Sequence, residues 1–206
     1  MELFGLPRLF AKRQGAMEEA MAYFVMECNG VYPSAALAKG PSLNDPPWFH
    51  GGRVAEDFDV PLIYRLNPKR AGNLKAMYDD TAYPVMRDDL IEALKAVGVD
   101  NLQLFSAVII DPATGAEHRN YKAFNIVGVV AAADMEKSER MPTTDSTMID
   151  VDFSSLAIDE AKASPFRLFR LAESVNAIIV DDVVKAGVKR CAIPGMVFYK
   201  PENWSG

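Results

Sequence analysis

The sequence contains few of the residues on which metal-binding and membrane-spanning proteins depend. Its 206 residues include two cysteines and two histidines, and neither His50 nor His118 belongs to a cluster with the ligand spacing of a zinc site. No stretch approaches the ~18 apolar residues that a membrane helix requires, and no basic cluster followed by an apolar run marks a secretory signal. We therefore expect no structural metal, no membrane association and a cytoplasmic location. Cys28 and Cys191 are expected to be buried free thiols.

The motifs of common catalytic and nucleotide-binding sites are also absent. The chain lacks the Gly-x-x-x-x-Gly-Lys loop that cradles phosphates, the Gly-x-Gly-x-x-Gly turn after a strand and the Gly-x-Ser-x-Gly elbow. Asp57-x-Asp59 and Asp150-x-Asp152 could each place two carboxylates on one face of a strand, where they could bind a divalent cation. With 28 acidic residues in the chain, such spacing arises readily by chance. We predict no catalytic residue, no metal and no cofactor.

The charge balance argues against a nucleic-acid partner. The net charge is -6 and the sequence pI is about 5.0, and there is no Lys/Arg-rich run that could displace counterions from phosphates. An acidic surface suits a basic protein partner, although most such charge serves solubility.

Length and composition indicate a folded protein with one main domain. Half of the residues are hydrophobic and 24% are charged, as in an average globular protein. We predict an N-terminal arm or short helix over residues 1–22 and a single domain over residues 23–206. The strands do not alternate regularly with longer helices, which disfavours a doubly wound parallel sheet. The predicted fold class is α+β, with a largely antiparallel sheet and a few flanking helices.

The clearest elements are a helix and a hairpin in the middle of the chain. Apolar residues at i, i+1, i+4 and i+7 predict a helix over residues 87–97, which Gly98 can end. Two β-prone runs around an Asp-Pro-x-x-Gly turn predict a hairpin over residues 102–130, whose apolar return strand belongs in the middle of a sheet. The other predicted elements are strands at 23–28, 62–66, 148–153, 168–171, 177–180 and 193–200, and helices at 155–163 and 181–186, the last closed by Gly187.

The segment from residue 29 to residue 53 is rich in proline and glycine, and it is predicted to be a long loop. Loops of this length inside a domain often carry function. Trp48 and Phe49 are expected to anchor the loop to the body of the protein, with a partner-binding role as the alternative.

The order of several short motifs is more specific than any one of them. In sequence they are Pro-Leu-Ile-Tyr-Arg-Leu (61–66), Tyr-Pro-Val-Met (83–86), Leu-Phe-Ser-Ala-Val-Ile (104–109), Tyr-Lys-Ala-Phe-Asn-Ile-Val-Gly (121–128), Ile-Asp-Val-Asp (149–152), Leu-Phe-Arg-Leu (168–171), Ile-Ile-Val (178–180), Ala-Gly-Val (186–188) and Gly-Met-Val-Phe (195–198). In this order they resemble the eleventh catalogued family of immunity proteins of bacterial polymorphic toxin systems, over about residues 50 to 200. The resemblance implies a protein that binds and neutralises a cognate toxin, and it carries no catalytic residues. The segment 29–53 lies mostly outside it.

The functional hypothesis is therefore an immunity protein, not an enzyme, whose partner is a cognate protein toxin. Trp48, Phe49, Asp79 and Asp80 are the predicted partner-binding residues, because they offer aromatic anchors and negative charge on an exposed-looking surface. The alternatives are a small-molecule or regulatory binding module and an enzyme with a dispersed site that uses His50 and the Asp57-x-Asp59 pair. The sequence leaves open whether the protein forms a homo-oligomer.

Overall fold

A computed structural model describes residues 21–43, 47–55, 57–141 and 151–206. The predicted arm at 1–22 lies almost entirely outside the described residues. Among those residues, no helix is long and apolar enough to span a membrane. In chain order the elements are β1 (Tyr23–Cys28), β2 (Leu37–Lys39), β3 (Leu62–Leu66), β4 (Met77–Tyr78), β5 (Val85–Arg87), α1 (Asp88–Ala96), β6 (Leu102–Ile110), β7 (Glu117–Ile126), β8 (Val129–Val130), β9 (Glu139–Arg140), β10 (Phe153–Ser155), α2 (Glu160–Ala163), β11 (Leu168–Leu171), β12 (Ile178–Asp181), α3 (Asp182–Arg190) and β13 (Met196–Tyr199).

The strands form two main sheets. One sheet has six strands in the order β2-β3-β6-β7-β5-β4, and the other has five in the order β13-β1-β12-β11-β8; β9 and β10 pair separately. Only the β3–β6 and β8–β11 pairs of the described strands are parallel. The predicted α+β fold with mostly antiparallel pairing is therefore confirmed, although the strands divide between two sheets rather than one.

A central apolar cluster lies between the two sheets and the helices α1 and α3. In β1 the alternate residues Phe24 and Met26 enter this cluster, whereas Tyr23 and Val25 enter a second cluster on the other face of the five-stranded sheet. Tyr121 of β7 packs into a third cluster, on the opposite face of the six-stranded sheet from the central one. The second half of β7, from Tyr121 to Ile126, is largely buried on both faces, and the strand lies inside its sheet, as the sequence predicted.

The long return strand of the hairpin is shorter than predicted. It ends at Ile126 rather than at residue 130, because Gly128 takes a positive φ of 109° and turns the chain away. Val129 and Val130 then pair with β11 in the other sheet. One apolar run of sequence therefore supplies a strand to each sheet.

Helix α3 is longer than predicted. It runs to Arg190 and passes through Gly187, which was expected to end it. Gly187 is buried against α1, where an added Cβ would lie 2.3 Å from a Cγ of Val97. The glycine therefore permits close helix packing and does not act as a cap. Cys191 follows this helix as an exposed free thiol, so the expectation of burial is wrong for Cys191 and right for Cys28.

The segment between β9 and β11 differs from the prediction in its helix. Of the helix predicted at 155–163, only the last turn is helical, and it forms α2. This turn begins after Asp159, whose carboxylate accepts hydrogen bonds from the amides of Ala161 and Lys162. Residues 148–150 of the predicted strand at 148–153 lie outside the described residues, and the described strand begins at Phe153.

Candidate partner-binding surface

Trp48 is a core residue of the described structure. Its side chain is 3% exposed, and its ring centroid lies 4.9 Å from that of Phe105, 5.2 Å from that of Tyr83 and 5.7 Å from that of Phe58. These contacts bind the loop to the outer face of the six-stranded sheet, which agrees with the anchoring role expected from the sequence. The exposed position assumed for Trp48 as a partner-binding residue is wrong.

Phe49, the next residue, points to a different part of the molecule. Its half-buried ring covers the guanidinium group of Arg170, whose central carbon lies 4.9 Å from the ring centroid. The amide of Gly128 donates to the carbonyl oxygen of Gly51 at 2.8 Å. This hydrogen bond holds the loop beside β8, the strand that pairs with β11 at Arg170. Phe49 is thus part of a joint between the loop and the five-stranded sheet.

Arg170 is a buried charge that was not among the site residues predicted from the sequence. Its side chain is 1% exposed, and Nη1 donates to the carbonyl oxygen of Val175 at 2.7 Å. Nε and Nη2 are buried and have no hydrogen-bond partner among the described residues. Burial lowers the pKa of Arg170 to about 10, and the nearby negative charge of Asp79 opposes this shift. The arginine therefore brings a positive charge into the space between the two sheets.

Asp79 and Asp80 follow β4 and differ in exposure. Asp79 is half-buried, and burial raises the pKa of its carboxyl group, while the positive charges of Lys75 and Arg170 lower it. Asp80 is exposed. Both line a cleft of about 410 Å³, here called the acidic cleft, together with Glu27, Asn29, Lys75 and residues 204–206.

Three of the four predicted residues lie in one region of the protein. Phe49 and Asp79 both interact with Arg170, and Asp80 stands beside Asp79 in the acidic cleft. Trp48 belongs to the aromatic cluster on the far face of the six-stranded sheet and does not line the acidic cleft. The signal for Arg170 was present in the sequence, because a charged residue in the apolar strand 168–171 shares a face with the buried Leu168.

The residues of the hypothetical dispersed enzyme do not come together. Asp57 and Asp59 line a groove of about 500 Å³ beside Phe58, whereas His50 lines a separate pocket of about 280 Å³ with Trp48. Within the described part of the chain, no three His, Cys, Asp or Glu side chains are grouped so that they could hold a metal ion. The acidic cleft, with three carboxylates and one ammonium group, is suited to binding cationic groups.

Comparison with known proteins identifies a family. A family model described as Immunity protein family (Imm11) matches residues 14–203. The match includes the segment 29–53, so the expectation that this segment lies mostly outside the family is wrong. No curated protein gives a significant match to the chain.

Proposed function

The chain belongs to the Imm11 immunity protein family, and from this membership we propose that it protects bacterial cells by binding a cognate toxin, without turnover of its own. The single observation that carries the proposal is the family match, which spans nearly the whole chain. The toxin is a protein that presents positive charge to the acidic cleft. The net charge of -6 favours fast encounter with such a partner.

The proposed binding mechanism can be tested by co-expression with the toxin encoded beside the gene of this chain. We expect cells that produce both proteins to survive and a pull-down to recover the complex. If cells die as readily with this protein as without it, and no complex is recovered, the proposal is wrong.

The stoichiometry of protection separates binding from catalysis. A protein that blocks its toxin by occupying it must be present in equimolar amount, whereas an enzyme that modifies the toxin protects at a small fraction of that amount. Titration of purified toxin activity with this protein should therefore reach its end point at a molar ratio of about one. An end point far below one would contradict the absence of turnover.

Asp80 is the residue best placed to test the role of charge. It lines the acidic cleft and is exposed, so its replacement by lysine should leave the fold intact, whereas Asp79 is half-buried. We expect Asp80→Lys to slow association with the toxin by about three- to tenfold at low salt and to flatten the salt dependence of that rate. Stopped-flow measurement at several ionic strengths checks this expectation.

The matched control is Glu92→Lys, which makes the same change in net charge on the exposed face of α1. Glu92 does not line the acidic cleft. If both variants slow association equally, the effect comes from net charge alone and the cleft has no special role.

A further inference from the structure

The loop that follows β1 presents an exposed aromatic side chain. Tyr32 is 95% exposed and its neighbour Val31 is 46% exposed. Tyrosine is enriched among residues that dominate binding energy at protein interfaces, because its ring supplies a large contact area with few rotatable bonds. Trp48 and Phe49 were the aromatic anchors predicted from the sequence, whereas the highly exposed aromatic side chain of this loop is that of Tyr32.

The backbone on both sides of Tyr32 is held in place by other segments. The side-chain amide of Asn73 donates to the carbonyl oxygens of Val31 and Pro33, each at 3.2 Å, and the Asn73 backbone amide donates to Pro33 at 2.8 Å. On the other side, the amide of Asn29 donates to the carbonyl oxygen of Gly195 at 3.0 Å. Because the backbone is already fixed, binding through Tyr32 requires little further ordering of the loop.

The same loop forms one rim of the acidic cleft. Asn29 and Lys75 both line the cleft, and Gly30 lies so close to Lys75 that an added Cβ would be 3.0 Å from its Cγ. Val31 and Tyr32 follow Asn29 and Gly30 in this loop, so the exposed apolar pair lies next to the rim of the acidic cleft.

The charge of the cleft is predominantly negative. Glu27, Asp79 and Asp80 line it against the single cation Lys75, and the ion pairs found among the described residues involve other carboxylates. Glu27 accepts a hydrogen bond from Nε1 of Trp204 at 2.7 Å, which fixes its carboxylate at the cleft. A complementary surface therefore carries a positive charge.

We propose that Tyr32, with Val31, is the aromatic anchor of the toxin interface, and that the toxin presents an apolar pocket to this pair and a lysine or arginine side chain to the adjacent acidic cleft. This inference rests on the proposed function and names the surface and chemistry through which it operates. Tyr32 holds the complex together, whereas the cleft carboxylates guide the encounter.

The test compares Tyr32→Ala, Tyr32→Phe and Val183→Ala in surface plasmon resonance with the toxin encoded beside the gene. Val183 is the matched control for an exposed apolar side chain, because it is 44% exposed. It follows the C-terminal end of β12, whereas Asn176, which lines the acidic cleft, precedes the N-terminal end of that strand. Tyr32→Ala should speed dissociation by at least about tenfold, and Tyr32→Phe, which keeps the ring, by less than about threefold. Val183→Ala should dissociate like the wild type, and all three variants should keep the wild-type melting temperature.

Each alternative outcome is decisive. If the wild type binds the toxin and Tyr32→Ala dissociates at the wild-type rate, the proposed function stands and Tyr32 is not its anchor. If the wild type does not bind, both proposals are overturned. If light scattering shows a wild-type dimer that Tyr32→Ala converts to a monomer while toxin binding is unchanged, the loop serves self-association and the proposal is wrong.

Discussion

Replacing Trp48 by alanine is expected to lower the free energy of unfolding by about 3–5 kcal/mol, the range for removal of a large aromatic side chain from a core. The indole fills the space between the loop and the outer face of the six-stranded sheet, against Phe58, Tyr83 and Phe105. Its Nε1 has no hydrogen-bond partner among the described residues. The loss is therefore a loss of packing, and chemical denaturation of wild type and variant measures it directly.

Trp48→Phe is the control that separates packing from binding. It keeps an aromatic ring in the cluster, so we expect it to lose less than half as much stability as Trp48→Ala. Because Trp48 does not line the acidic cleft, the folded Trp48→Phe protein should bind the toxin with wild-type rates. A variant that folds with wild-type stability but binds poorly would show instead that Trp48 contacts the toxin.

The elements that could be predicted well are those whose signals are local. Strands 23–28, 62–66 and 168–171 were predicted with the bounds that the structure shows. The predicted helix 87–97 agrees with α1 to within one residue at each end. The helix was predicted from the period of its apolar residues, with Asp88 and Asp89 in its first turn and Gly98 after its end. The strands were predicted from short runs of β-prone residues.

The elements predicted poorly depend on contacts between distant segments. The local sequence predicts that a helix ends at Gly187, but α3 continues through this residue. Because glycine has no Cβ, Val97 of the facing segment can pack directly against it. The local sequence predicts that Val129 and Val130 end a long strand, but they form β8 and pair with β11 in the other sheet. Local patterns do not specify which surfaces meet, so these features required the structure.

The same distinction applies to the candidate surface. The sequence shows that Asp79 and Asp80 are adjacent, but it does not show that both line a cleft. The exposure of Tyr32 depends on Asn73 and Gly195, which hold its loop from opposite sides and are far away in sequence. By contrast, Trp48 is exposed-looking in a loop rich in proline and glycine, but the aromatic residues of three other segments enclose it.

Arg170 is the second residue whose replacement should have a large effect. Arg170→Ala is expected to lower the free energy of unfolding by about 2–5 kcal/mol near neutral pH, the range for truncation of a long buried side chain that leaves a cavity. The change leaves a cavity beneath the ring of Phe49, and it leaves Lys75 as the remaining positive neighbour of the half-buried carboxylate of Asp79. Arg170→Met refills most of the volume without the charge, so we expect it to lose less than half as much.

The pH dependence of Arg170→Met isolates the interaction between the two charges. Burial raises the pKa of Asp79 in the folded protein above its unfolded value, so the folded state gains protons and its stability falls as pH rises through the folded pKa. The charge of Arg170 lowers that pKa; removing it raises the pKa of Asp79 further and increases this loss. Between about pH 4 and pH 7, unfolding in urea should therefore show a steeper fall in stability for Arg170→Met than for the wild type. Adding Asp79→Asn to Arg170→Met should abolish the extra slope, whereas adding Asp80→Asn should leave it; an extra slope that survives Asp79→Asn would assign the effect to another group.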